Sequence, residues 1–275
     1  MAVGRTFAAW LAAYLALRLV APQVAVGPPV FGAIVAALAF MLVSLALIVA
    51  GARMELRPGQ RAVVASAALA VWVSLLLLRS KNPVAGLIAD AALITAATHF
   101  GVLLSSVIRE PKLLLPVALC AGLVDIWGVN FGGPVAKALE SKQAAKVLNA
   151  ATAKVPAFGS ARIEKGERPP PPILIGFGDF FFLGVFFACL ARFSMNLAAS
   201  FWLTAACIVA ALMVLPLLPF NLPGLPFMAV GVILPNVGHF QFTREEKFAL
   251  LWAGAILGAS LMSAVWMTHA APVGR

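Results

Sequence analysis

Long apolar runs separated by short links rich in arginine, lysine and proline set the pattern of this chain. The runs cover residues 7–26, 30–50, 62–78, 84–108, 113–131, 173–191, 197–218 and 248–268. Each is close to the roughly 20 residues that carry an α-helix across a hydrocarbon core of about 30 Å. They are continuous, without the polar alternation over about ten residues that marks a membrane β-strand. Between Pro216 and Pro235 stand five prolines, too many for regular helix throughout. Irregular backbone at membrane depth survives only against protein or a water-filled cavity, so this segment reads as an embedded, broken helix. The pattern therefore predicts an all-α polytopic membrane protein with about nine transmembrane or embedded helices.

Composition sharpens this picture. With 63% apolar and 11% charged residues and a mean hydropathy of +1.01, the chain lies outside the range of soluble domains. The net charge of +10 does not point to nucleic acid. The basic residues sit in the links, where they serve as topology anchors and lipid-headgroup contacts. Cys120, Cys189 and Cys207 all fall inside apolar runs. They read as small core hydrophobes with no disulfide or zinc spacing. The first run contains Arg18 and is followed at once, past Gly27-Pro28-Pro29, by another run. That fits a retained helix better than a cleaved signal peptide. The expected location is an integral, multi-pass one, in a prokaryotic cytoplasmic membrane.

Polarity changes abruptly at residues 135–168, where seven Lys and Arg stand against three Glu. The first half of this loop reads as a weakly amphipathic interfacial helix. The second reads as a flexible link ending in the stiff stretch Pro169 to Pro172. The positive-inside rule places the loop on the cytoplasmic face. The chain is accordingly divided into N-terminal helices (1–112), a central segment holding the loop (113–240) and a C-terminal helix (241–275).

Besides Arg18, three aspartates and a histidine interrupt the apolar runs and ask for explanation, because ionisable groups at membrane depth are costly and usually functional. Asp90 and His99 share one run but are nine residues apart, so they face opposite sides of a helix and do not pair. Asp90 is expected to make a polar contact with a neighbouring helix. Asp125 lies nine residues before Pro134 and Asp179 seven after Pro172. On regular helices that places both about 10–14 Å inward from the same loop. Helices joined by one loop run antiparallel, so the two carboxylates can meet at one depth. Like charges held close in low dielectric share a proton. One carboxylate then takes a proton from water while its protonated partner bonds the carbonyl oxygen under attack. Gly176 and Gly178 beside Asp179, and Gly122 and Gly128 beside Asp125, let a substrate or a facing helix come close.

These residues also resemble a family. Val124-Asp125-Ile126-Trp127 followed by Phe131-Gly132-Gly133-Pro134, then Gly176-Phe177-Gly178-Asp179, then Pro223-Gly224-Leu225-Pro226-Phe227, are similar to three ordered motifs of the presenilin and signal peptide peptidase family of intramembrane aspartyl proteases. Gly224 stands where the family's Pro-Ala-Leu motif has alanine, and Val124 where it usually has tyrosine. The resemblance covers residues 113–240 and implies a presenilin-like fold. It makes Asp125 and Asp179 the catalytic pair, with Gly176, Phe177, Gly178, Pro223, Gly224 and Leu225 contacting substrate. The implied partners are transmembrane-helix or signal-peptide substrates within a lipid bilayer. No metal and no organic cofactor are implied.

Other chemistries fit less well. A prepilin-type peptidase shares Gly-x-Gly-Asp, but its aspartate is generally followed closely by lysine, and here Phe180, Phe181 and Phe182 follow. A serine site at Ser260 with His269 as base would place the two on opposite helix faces. His99, His239 and His269 form no His-Glu-x-x-His. The alternative from another class is a proton- or cation-coupled transporter in which Asp90, Asp125 and Asp179 bind the ion and the broken segment lines its path.

Overall fold

The computed structural model describes residues 2–24, 29–78, 82–130, 152–154, 174–214 and 222–270. Among them are nine α-helices: α1 (Ala2–Val20), α2 (Pro29–Ala52), α3 (Pro58–Leu78), α4 (Pro83–Ser105), α5 (Leu114–Asn130), α6 (Phe177–Arg192), α7 (Leu197–Val214), α8 (Leu225–Ile233) and α9 (Arg244–Ala270). Five spans are long and apolar enough to cross a membrane: Val35–Ala52, Pro58–Leu78, Pro83–Ser105, Pro111–Asn130 and Leu197–Val214. The protein is thus a largely helical integral membrane protein. Most of the loop 135–170 lies outside the described residues, as do the amphipathic helix expected in its first half and the proline stretch 169–172.

Helix boundaries follow from local chemistry. Proline opens α2, α3 and α4, where its missing N–H would have no intrahelical partner in any case. At α4 the Asn82 side chain also accepts the Val84 N–H at 2.9 Å. The polar residues 244–247, which precede the apolar run 248–268, form the first turn of α9. Thr243 and Glu246 close a reciprocal capping box there: the Thr243 N–H donates to Glu246 at 2.9 Å and the Glu246 N–H to the Thr243 hydroxyl at 3.3 Å. The expected run 84–108 ends as helix at Ser105.

The chain divides into two compact units, discontinuous in sequence, so the division into 1–112, 113–240 and 241–275 follows chain order and not packing. The first unit comprises residues 1–107 and 149–197. In it α4 packs against α3 and α6, and α2 against α1, α4 and α6. Its core is built from Phe40, Leu45 and Ile48 of α2, Leu93 and Ile94 of α4, and Phe180, Leu183, Phe186 and Phe187 of α6, all fully or almost fully buried. The α4–α6 crossing is close because two glycines face it. A Cβ on Gly184 would stand 2.7 Å from the Thr98 carbonyl oxygen, and one on Gly101 would meet the Phe181 carbonyl and, at 2.9 Å, the Val185 nitrogen. Arg18 of α1 and Asp90 of α4 form an ion pair within this unit. Asp90 is therefore bound to a neighbouring helix.

The same unit adds one short ribbon to this largely helical fold. Thr152–Lys154 (β1) and Leu174–Gly176 (β2) pair antiparallel, with Ala153 opposite Ile175. The β-branched Thr152 and Ile175 suit such a ribbon, and its inward residues Ala153 and Ile175 are buried.

The second unit comprises residues 108–148 and 198–275. Here α5 packs against α8 and α9. Residues 215–221 lie outside the described residues; the rest of the proline-broken segment holds α8 and a 3-10 turn, Leu234–His239. Gly231 of α8 lies against the Thr204 backbone of α7. Buried Asn236 donates to Ser200 and to the Val232 carbonyl, each at 2.7 Å. These bonds anchor a segment whose own backbone ladder the prolines interrupt. Among the cysteines, Cys189 is buried, but Cys120 is exposed on α5, against the expectation that it sits in a core.

Candidate functional site

Asp179 belongs to the first unit and Asp125 to the second. Each acid is held by a different local device.

Asp179 does not lie seven residues deep in a regular helix. The chain from Leu174 to Gly176 is strand, α6 begins at Phe177, and Asp179 is in its first turn. Its depth follows from where the ribbon stops, because a strand advances about 3.3 Å per residue and a helix only 1.5 Å. The carboxylate reaches back and accepts the Gly176 N–H at 3.0 Å, the half of a capping box that a glycine cap permits. A negative charge there also meets the positive end of the helix macrodipole. Gly178 is exposed, and a Cβ on it would meet nothing within 4 Å, so close packing is not its role among the described residues. Phe177 stacks on Phe181, with ring centroids 6.2 Å apart.

Asp125 is half-buried on α5. Its Oδ2 accepts the Leu225 N–H at 3.0 Å, across 100 positions of sequence. That N–H is available because Leu225 is the first residue of α8, where no preceding turn supplies an acceptor. Gly122, one turn before Asp125, faces Pro226, and a Cβ on it would stand 3.6 Å from the Pro226 Cα, an ordinary van der Waals contact, so α5 and α8 approach here without a clash. A Cβ on Gly128 would meet nothing within 4 Å among the described residues. Asp125 and the predicted substrate residues Pro223, Gly224 and Leu225 are thus brought together in one unit, and Asp179 with Gly176, Phe177 and Gly178 in the other.

Two positioning features escaped the sequence reading. The ribbon ahead of Gly176 was masked by an apolar run that fits strand and helix alike. The α4–α6 crossing depends on Gly101 and Gly184, whose importance appears only once the two helices are paired. A comparison of the chain with protein-family models, curated proteins and solved structures returned no match.

Proposed function

We propose that this protein is an intramembrane aspartyl endopeptidase of presenilin-like architecture, hydrolysing peptide bonds within transmembrane segments or signal peptides. The observation that carries the reading is the hydrogen bond from the Leu225 N–H to Asp125. It joins the first and third motifs of the resemblance, which are far apart in the chain and were read from it separately. Asp125 and Asp179 act as the dyad: one, ionised, takes a proton from the attacking water, and the other, protonated, donates to the scissile carbonyl oxygen.

A helical substrate must unwind before its peptide bond can be attacked, and the freed backbone needs partners in a medium that supplies none. The β1–β2 ribbon supports this reading. A two-stranded ribbon has outer edges that can accept an extended peptide as an added strand, and β2 ends three residues before Asp179. The exposed Gly178 leaves room for such a segment.

The test uses purified protein in lipid with a helical transmembrane substrate. Asp125→Asn and Asp179→Asn should each abolish peptide products while leaving helix content unchanged. A product from either variant at the wild-type rate would overturn the assignment. Aspartate-dependent ion flux in proteoliposomes without peptide product would instead favour the transporter. One of the three acids that transport would need, Asp90, is ion-paired with Arg18.

A further inference from the structure

The first unit contains a second feature that the hydrolytic reading does not use. At the end where α2, α4 and α6 finish and α3 begins lies an open cleft of about 620 Å³. Arg53, Arg61 and Arg192 line it, with serines 105, 106 and 194, and among the described residues no Asp or Glu lines it. Its remaining walls are apolar, including Leu56, Val102, Leu103 and Met195. Glu55, in the same link as Arg53, is exposed and not part of the lining.

Two of the arginines are held in place. Arg61 is almost fully buried and donates to the carbonyls of Gly51, at 3.0 Å, and Met54 at the end of α2. Arg192 donates to the Ser105 carbonyl at the end of α4, at 2.7 Å, and lies over the Phe193 ring. Capping helix ends explains their orientation but does not consume their charge. Each helix C-terminus carries roughly half a negative charge and the α3 N-terminus about half a positive one, so the helix ends offset only part of the positive charge that the three arginines bring. Arg53 is exposed at the rim. A fixed cationic floor, hydroxyl groups and apolar walls at the end of a membrane bundle match an anionic phosphate joined to an apolar chain.

We infer that this cleft binds the phosphate group of an anionic amphiphile, of the kind presented by a phosphatidylglycerol headgroup at the bilayer surface. It stands at the opposite end of α6 from Asp179, thirteen residues or about 20 Å away along the helix. It is therefore a separate site, and its occupancy does not depend on the hydrolytic assignment.

Native mass spectrometry of the full chain, released from detergent with phosphatidylglycerol or phosphatidylcholine added, reads the site directly. Wild-type protein should retain phosphatidylglycerol in clear preference. Each arginine near a lipid surface contributes about fivefold in affinity, so Arg53→Gln with Arg192→Gln should weaken retention about twenty-five-fold. Arg53→Lys with Arg192→Lys should restore most of it. Where the double variant does not fold, Arg53→Gln alone should lose about fivefold. Asp179→Asn should retain the lipid as wild type does, which separates this site from the hydrolytic one.

Inorganic phosphate is titrated in parallel. If it displaces the lipid at millimolar concentration, the anion site stands and its occupant comes from solution. If it does not, the lipid headgroup is the occupant. Equal retention of the two lipids by wild type, or undiminished preference in folded Arg53→Gln, would overturn the inference.

Discussion

The α4–α6 crossing offers the most direct test of how this fold is held. A methyl group added at Gly184 would sit 2.7 Å from the Thr98 carbonyl oxygen and 3.2 Å from the Thr98 Cα. Comfortable contact between such atoms begins near 3.5 Å, so the helices must separate by about 0.8 Å. The obstructing atoms are backbone, and no rotamer change relieves them. Overpacking of this kind costs about 1–3 kcal/mol. Alanine also has a higher helix propensity than glycine, by about 1 kcal/mol, which partly conceals the cost. The control is Gly86→Ala, in α4, where a Cβ meets nothing within 4 Å and only the propensity gain applies. The difference between the two variants isolates the crossing. At roughly 2–4 °C per kcal/mol for a chain of this size, Gly184→Ala should melt about 2–12 °C below Gly86→Ala. Scanning fluorimetry in one detergent measures it. Equal melting temperatures would refute the claim that backbone contact at Gly184 sets the helix separation.

Other predictions concern the acids. Asp179→Asn keeps an oxygen to accept the Gly176 N–H and should melt with wild type, whereas Asp179→Ala should lose about 1 kcal/mol, the usual worth of a capping interaction; thermal melts distinguish them, and neither variant should yield peptide products. Arg18→Leu and Asp90→Leu each break a part-buried ion pair and should cost up to about 3 kcal/mol, with most of that recovered in the double variant. A double-mutant cycle that finds additive losses would contradict the pairing. Glu246 is held below its ordinary value of 4.5 by the Lys112 ammonium, 2.5 Å away, and by the Thr243 N–H. Its contribution to stability is therefore complete above that value and is lost as pH falls through the lowered one. Melts across the acid range should show this loss in wild type and not in Glu246→Gln.

Much of the architecture was legible because membrane burial imposes a simple rule. A segment surrounded by lipid must be apolar and must satisfy its own backbone, so the runs at 30–50, 62–78 and 84–108 announce α2, α3 and α4 within a few residues. Proline at 29, 58 and 83 marks their starts. The box Thr243-x-x-Glu246 marks the start of α9 even though charge made it look like a link. The acids were equally visible, since an aspartate in an apolar run stands out whatever the fold.

What lies between those acids and their partners was decided by tertiary structure. Local preference at Leu174 to Gly176 does not choose between strand and helix; pairing with Thr152–Lys154 does, and it moves Asp179 from the middle of a helix to its first turn. Gly184 and Gly178 are both glycines next to bulky neighbours in the chain, yet one faces a carbonyl and the other open space. The bond from Leu225 to Asp125 spans 100 positions and has no local signature. Hydropathy determines which segments enter the membrane, because the cost of exposing polar groups to lipid is set residue by residue. Which helix meets which, and therefore what each carboxylate is bonded to, depends on side-chain and backbone shapes that become complementary only after the helices have packed.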